Sequence, residues 1–188
     1  MSNFKIHNVE SAPEKSKPIL EASVQSFGML PNLHAVMAES PAVLDAYKKL
    51  HGLFSTQTDF NVEEQTVVWQ TINVENECHY CVPAHTAIAN MSKVDPAITD
   101  ALRNSTALPN AKLQALHELT LSVIRTSGNP SAEALEKFHA AGYGNRHVLE
   151  VLLGYSQKIL SNYTNHLAKT PVDEPFKPFA WKKDGVVA

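Results

Sequence analysis

The sequence contains few charged residues, only two cysteines and no long run of apolar residues. Charged residues make up 19% of the 188 positions, and 16 Lys plus Arg against 19 Asp plus Glu give a net charge of −3. A chain without an extended basic stretch is not expected to bind nucleic acid. No apolar stretch approaches the roughly 20 residues of a membrane-spanning helix, and the first residues lack the apolar core of a signal peptide. We therefore expect a cytoplasmic protein with no membrane partner.

The alternating polar and apolar residues of a half-buried strand are also missing. Helix signals are present instead: Ser40-Pro41 and Asp95-Pro96 are typical helix starts, Asn110 is a typical N-cap and Gly128 a typical helix end. At this length a single hydrophobic core is expected. The sequence predicts an all-α, single-domain bundle of six or seven helices or more, with helices over 41–54, 62–74, from about 78–80 to 91, from 96, over 111–127, about 132–141 and about 146–168.

Two terminal segments differ from the predicted domain, which we place at residues 19–170. Residues 1–18 are polar and are expected to be loosely held. Residues 171–188 combine three prolines with three aromatic residues, Phe176, Phe179 and Trp181. Because Pro-rich segments favour extended conformations, we expect a C-terminal arm that crosses a surface of the protein. Its aromatic residues favour the surface of a neighbouring subunit in a homo-oligomer.

Both cysteines lie in the stretch "NECHYCVPAH". Cys78, Cys81 and His85 are spaced i, i+3, i+7, which places them along one stripe of a helix. Pro83 is tolerated in the first turn of a helix but costs about 3 kcal/mol in its interior, so the helix should begin near residues 78–80. The unpaired amides and the dipole of such a helix start stabilise a thiolate and lower the pKa of its thiol.

Three interpretations of this stretch remain open. Zinc accepts these ligand types, but a structural zinc site needs four protein ligands, and the histidines outside the stretch show no paired spacing. Two buried, inert cysteines are a second interpretation. We favour a third, a redox pair, because the helix start stabilises the attacking thiolate and a histidine one turn away can carry a proton. We therefore expect no metal and no bound cofactor.

The stretches "PNLHAVMAESPAVLDAYKKL", "ENECHYCVPAHTAIA" and "NYTNHLAKTPVDEPF" together resemble the carboxymuconolactone decarboxylase-like superfamily, in particular its alkylhydroperoxidase D (AhpD)-like, peroxidase-related branch. The resemblance extends from about Phe27 to Trp181 and includes the pattern C-x-x-C-x-x-x-H. It implies an all-helical fold, a homo-oligomer (trimer or hexamer) and reduction of a hydroperoxide substrate by the cysteine pair. It also implies that Cys81 attacks the peroxide, Cys78 resolves the sulfenic acid and His85 joins the proton relay. The implied reductant is an external dithiol, such as a lipoylated or thioredoxin-like protein.

The sequence departs from the family pattern at two positions. The relay glutamate of the family corresponds to Thr66, and Glu63, one helical turn earlier on the same face, is the predicted substitute. Glu64 is expected to be a solvated acid of the first turn. Tyr80 replaces a histidine between the cysteines, and its phenol either donates a hydrogen bond to a thiolate or leaving oxygen or serves only in packing. His79 is expected to face solvent.

The leading functional hypothesis is a thiol-dependent peroxidase that acts on hydrogen peroxide or organic hydroperoxides through a dithiol/disulfide cycle. Two alternatives remain open. A redox-sensing or thiol-disulfide exchange module would oxidise without peroxidase turnover, and the missing relay glutamate favours this interpretation. A lyase of the carboxymuconolactone decarboxylase type would not rely on the cysteine pair.

Overall fold

The computed structural model describes residues 3–183, and this part of the chain is built from helices, with no β-strand. Nine α-helices joined by short connections are followed by one 3₁₀ helix. They are α1 (Lys17–Phe27), α2 (Asn32–Met37), α3 (Pro41–Gln57), α4 (Val62–Glu75), α5 (Cys81–Met91), α6 (Pro96–Arg103), α7 (Ala111–Arg125), α8 (Ala132–Ala140), α9 (Asn145–Ala168) and the 3₁₀ helix (Glu174–Phe179). The prediction of an all-α fold is confirmed. None of the helices in this described range is long and apolar enough to cross a membrane.

The sequence predicts α3 to α9 but misses α1 and α2. Four of the predicted helices are capped by side chains that accept hydrogen bonds from amides of the first turn: Asn61, Asp95, Asn110 and Ser131. These caps satisfy donors that a helix start otherwise leaves unpaired. α1 has comparable local signals, with Ser16 at its N-cap, Pro18 in its first turn and Gly28 at its end, but the Ser16 hydroxyl donates to the distant carbonyl of Ala38 instead of capping the helix. The start of α1 is therefore held by a tertiary contact that local sequence does not show.

Two clusters of buried apolar side chains form the core. The larger cluster packs α4 against α6, α7, α8 and α9. The smaller cluster lies among α1, α2, α3 and α5 and contains both cysteines. α9 approaches α3 closely because Gly154 has no side chain there: a Cβ atom would lie 2.7 Å from Cε2 of Phe54. This close approach brings Lys158, one turn further along α9, to the cavity beside Cys81.

Glu64 is buried, so the prediction of a solvated first-turn acid is wrong. Its carboxylate completes a capping box with Asn61, accepts a hydrogen bond from the Tyr143 hydroxyl at 2.9 Å and lies 2.8 Å from Nζ of Lys112. Burial opposes ionisation, but these three partners outweigh burial and hold the pKa of the carboxyl below its usual value. The local sequence cannot show this pairing, because Lys112 and Tyr143 come from distant parts of the chain.

We expect Glu64→Gln to lower the free energy of unfolding at pH 7 by about 1–3 kcal/mol, because a neutral amide leaves this buried cluster partly unsatisfied. The pKa of Glu64 is lower in the folded state. The stabilisation is therefore complete above the unfolded pKa of about 4.3 and is lost as the pH falls through the folded value. Urea unfolding from pH 7 to pH 3 measures both effects.

The matched control for this prediction is Glu63→Gln, in the same turn of α4. Glu63 is only half-buried, and its substitution should leave the free energy of unfolding within about 0.5 kcal/mol of the parent protein. Equal losses in the two variants would contradict a special role for the Glu64 cluster.

The described part of the N-terminal segment is not loosely held, contrary to the prediction. The His7 amide donates to the Ala35 carbonyl at 3.2 Å, and the His7 ring lies 2.6 Å from the Glu39 carboxylate. Ala12 is buried in the smaller core cluster. This segment therefore covers α2 and the residues that follow it.

The C-terminal arm is not simply extended, because residues 174–179 form the 3₁₀ helix. Its described part lies on α5 of its own chain, and the Trp181 indole donates to the Arg103 carbonyl of α6 at 2.8 Å. The arm is thus accommodated within one subunit, and the homo-oligomer stays a prediction. What the sequence predicts for residues 1–2 and 184–188 lies outside the described residues.

Candidate active site

The two cysteines lie at the turn between α4 and α5. Beyond α4 the chain reverses through Glu77, whose φ of 52° is in the left-handed region. The Cys78 amide then donates to the Asn73 carbonyl at 2.9 Å, which closes the turn. α5 begins at Cys81, one residue beyond the predicted start at residues 78–80.

Cys78 and Cys81 are free thiols, and each is at most 2% exposed. The Cys81 amide donates to the Cys78 sulfur at 3.3 Å, so Cys78 takes the place of a side-chain cap at the start of α5. From α9, Nδ2 of Asn165 lies 3.3 Å from Sγ of Cys81 and 3.9 Å from Sγ of Cys78. Donors directed at a sulfur in this way stabilise negative charge on it.

Buried amide side chains hold the cysteine turn between α4 and α9. Asn162 of α9 donates to Oδ1 of Asn73 at 3.0 Å and accepts a hydrogen bond from Asn76 at 2.9 Å. Asn73 in turn donates to the Cys81 carbonyl at 3.4 Å. A buried polar network of this kind fixes one arrangement of the turn, because each broken bond would leave a buried group unpaired.

Lys158 is fully buried, and its Nζ lies 2.8 Å from Nε2 of His85. No carboxylate in the described part of the chain pairs with this ammonium. Burial lowers the pKa of Lys158, and the negative charge of a Cys81 thiolate opposes that shift. Burial, followed by the charge of Lys158, lowers the pKa of His85 well below its usual value. His85 is thus a neutral imidazole that accepts from Lys158, and the thiolate is the counter-charge available to the buried cation.

The two thiols differ in acidity. Burial alone would raise the pKa of Cys81, but three influences outweigh it and lower the pKa to about 5: the adjacent Cys78 thiol, the charge of Lys158, and the nearby polar side chains of Ser161 and Asn162. The pKa of Cys78 is raised by its hydrogen bond to Cys81 and by burial. The two shifts have opposite directions and favour ionisation of Cys81 over ionisation of Cys78.

A cavity of about 490 Å³ opens beside Cys81, a size suited to a small molecule. Cys81 and Lys158 lie at its buried inner end, while Phe27 and Met91, which are 47% and 81% exposed, lie at its mouth. A row of rings with neighbouring centroids 5.1–6.4 Å apart runs between the two ends, and all of them except Trp69 line the cavity: Phe27, His34, Tyr47, His51, Trp69 and His85. An organic molecule can therefore reach Cys81 along a largely aromatic wall.

Tyr80 lies in the cavity wall, but its hydroxyl does not face a thiolate. The hydroxyl donates a short hydrogen bond to the Asp173 carboxylate and accepts one from the Leu33 amide at 3.3 Å. Burial and the charge of Asp173 raise the pKa of Tyr80. Phe176 packs edge-on against the Tyr80 ring, with 6.3 Å between centroids. The hydrogen bond that the sequence suggested to a thiolate is therefore not formed, and Tyr80 instead anchors the C-terminal arm over the cavity.

The α4 residues considered for the relay, Thr66 and Glu63, do not lie at the thiols. Thr66 is buried, and its hydroxyl donates within α4. Glu63 lies in the first turn of α4, ten residues before Asn73, which is the α4 residue that contacts Cys81. Ten residues of α-helix correspond to about 15 Å. His79 is exposed, as expected.

Sequence interpretation missed Lys158 and Asn165, although a signal for them exists. Lys158, Ser161, Asn162 and Asn165 follow the spacing i, i+3, i+4, i+7 along α9, and all four are buried. A polar stripe on the face of a helix that packs into the core indicates a buried hydrogen-bond network. The spacing does not identify the partners, because His85 and Cys81 lie 73 and 84 residues earlier in the chain.

No family model and no curated protein matches the chain, whereas solved structures match most of its length. An uncharacterized peroxidase-related protein with an alkylhydroperoxidase AhpD core, from Ralstonia eutropha JMP134, has 18% identity and a TM-score of 0.83 over 93% of this chain and 94% of that chain. Another uncharacterized peroxidase-related protein, from Silicibacter sp. TM1040, has 16% identity and a TM-score of 0.78 over 93% and 92%. The debrominase Bmp8, solved as a cysteine-to-alanine variant with 2,3,4-tribromopyrrole, has 14% identity and a TM-score of 0.78 over 95% of each chain. These similarities establish a shared fold.

Proposed function

On the premise that the chain has the AhpD-like helical fold of peroxidase-related proteins, we propose that it is a thiol-dependent peroxidase. One observation carries the proposal: Cys81 lies at the inner end of a cavity beside Cys78, with Nδ2 of Asn165 3.3 Å from its sulfur, and its surroundings lower the pKa of its thiol. A thiolate is the form of cysteine that attacks peroxide, and an adjacent thiol is what resolves the product. Lys158 and His85 supply the proton chemistry that the relay carboxylate supplies in the family pattern.

In the first step, the Cys81 thiolate attacks the terminal oxygen of a hydroperoxide ROOH, and the O–O bond breaks. The bonding pair leaves with RO⁻, which takes a proton from the Lys158 ammonium to give ROH. Cys81 becomes a sulfenic acid, while His85 keeps the Lys158 amine in place. Since thiolate and ammonium lose their charges together, no unpaired charge is left in this buried site.

In the second step, the Cys78 thiol attacks the Cys81 sulfur, a disulfide forms, and water leaves with the Cys78 proton. An external dithiol then returns two electrons to the disulfide, and Lys158 regains its proton from solvent. We propose a lipoylated or thioredoxin-like protein as this dithiol.

Peroxide consumption tests the proposal. With excess dithiothreitol, the protein is expected to consume many equivalents of cumene hydroperoxide per Cys81, and a Cys78–Cys81 disulfide should accumulate when reductant is withheld. A redox sensor whose disulfide the dithiol does not reduce would consume about one equivalent and stop, and a lyase would consume none. Either of these outcomes would reject peroxidase function.

A second candidate is reductive removal of a halogen from an aromatic ring, and the aromatic wall of the cavity favours it. The Cys81 thiolate would attack the halogen, and the ring carbanion would take the proton of Lys158. Cys78 would then displace halide from Cys81 and form the same disulfide, so two thiols supply both electrons. Halide release from 2,3,4-tribromopyrrole, with loss of the free thiols, would favour this reaction over peroxide reduction.

A further inference from the structure

The cavity beside Cys81 is lined by basic and neutral groups but by no acidic side chain of the described residues. Lys48 contributes to it from α3, and Lys158 from α9. The histidines of its wall are neutral at pH 7: burial, followed by the charge of Lys48, lowers the pKa of His34 to about 3, and burial and nearby lysines lower that of His51 to about 4. Since the Cys81 thiolate balances the charge of Lys158, the charge of Lys48 leaves the cavity with one positive charge in excess.

Lys48 lies near the mouth of the cavity, above the half-exposed ring of Phe27, with Nζ 5.3 Å from the ring centroid. No carboxylate in the described part of the chain lies within ion-pair distance of it, and burial lowers its pKa. The next residue, Lys49, differs in both respects, because it is exposed and pairs with Asp45 at 2.6 Å. Of these two neighbouring lysines, one is neutralised at the surface and the other faces the cavity without a counter-ion.

We propose that the cavity binds hydroperoxides of apolar carboxylic acids, with the hydroperoxide group at Cys81, the hydrocarbon body along the aromatic wall and the carboxylate at Lys48. This proposal rests on the proposed peroxidase function and names the substrate class of that site. Hydrogen peroxide would fill little of a 490 Å³ cavity, whereas a hydrocarbon chain would bury apolar surface against the wall. A carboxylate would supply the missing counter-ion of Lys48 in a half-buried position, where an ion pair is screened less than at an open surface.

The experiment compares linoleic acid hydroperoxide with its methyl ester, since the two share the hydroperoxide and chain and differ only in the negative charge. Stopped-flow measurement of Cys81 oxidation below the micellar concentration gives both second-order rate constants. We expect the acid to react about ten-fold faster than the ester, which is the effect of one charge-assisted hydrogen bond. The ratio should fall as salt is added, because added ions screen the pair.

Variants of Lys48 and Lys49 test whether Lys48 causes the faster reaction of the acid. Lys48→Gln should bring the acid-to-ester ratio to about one, and Lys48→Glu should invert it, whereas Lys49→Gln should leave the parent ratio unchanged. Equal rates for acid and ester in the parent protein, or a ratio that survives Lys48→Gln, would overturn the inference. If neither compound nor hydrogen peroxide oxidises Cys81, the peroxidase function itself fails, so the two failures are distinguishable.

Discussion

Lys158→Met is expected to lower the rate of Cys81 oxidation by hydrogen peroxide at pH 7 by about thirty-fold or more. The ammonium is one of the groups that lower the pKa of Cys81 to about 5. Without it the pKa should rise towards the ordinary thiol value of about 8.5, at which only about 3% of the thiol is ionised at pH 7. The leaving oxygen also loses its proton donor. Stopped-flow rates from pH 4 to pH 10 should show a plateau above about pH 6 in the parent protein and a rise at more alkaline pH in the variant.

This result can be separated from a folding defect, because a loss of stability alone does not change the pH profile of Cys81 oxidation. Removal of one partner from a buried ion pair is destabilising when the other charge is left unpaired, but Cys81 can take up a proton when Lys158 is lost, so Lys158→Met should remain folded and lose only part of its stability. Lys112→Met is the matched control: it removes the partner of Glu64, so it should lower stability but leave the pH profile of Cys81 in place. An unchanged rate and pH profile in Lys158→Met would reject the role of this cation.

The cysteine turn was open to prediction because its determinants are local. Pro83 restricts where α5 can begin, and the spacing of Cys78, Cys81 and His85 follows directly from the sequence. The seven helices from α3 to α9 carry similar local signals at their ends. α1 has such signals too, with Pro18 in its first turn and Gly28 at its end, but its Ser16 hydroxyl bonds to the chain beyond α2, a contact that local sequence does not show.

The group proposed to supply the proton could not be predicted from local sequence in the same way. The family pattern predicts a carboxylate near Thr66 on α4, but the cationic Lys158 comes from α9 and meets His85 only in the folded chain. The same limit explains the error at Glu64, whose partners lie 48 and 79 residues away. Local sequence predicts the nucleophile, whereas buried charge pairs depend on helix packing that one sequence does not show.

Cys81→Ser is expected to abolish the reaction with peroxide, whereas Cys78→Ser should react once and stop. A serine hydroxyl does not ionise near neutral pH, so the first substitution removes the attacking group. The second leaves the Cys81 thiolate but removes the resolving thiol, so a sulfenic acid should persist at Cys81. Mass spectrometry after treatment with dimedone, which traps sulfenic acids, reads both outcomes.

The serine at position 78 is a conservative test because it preserves what Cys78 contributes to its neighbour. A hydroxyl can accept the Cys81 amide as the sulfur does at 3.3 Å, and it can donate to the Cys81 thiolate in place of the thiol. The pKa of Cys81 should therefore stay low in Cys78→Ser, and the first oxidation should proceed at a rate within a few-fold of the parent rate. An adduct on Cys78 in Cys81→Ser, with none on Cys81 in Cys78→Ser, would reverse the assignment. In that case Cys78, whose pKa is raised by its hydrogen bond to Cys81 and by burial, would be the attacking thiol. Lys158 and Asn165 would then lie beside the resolving sulfur, that of Cys81.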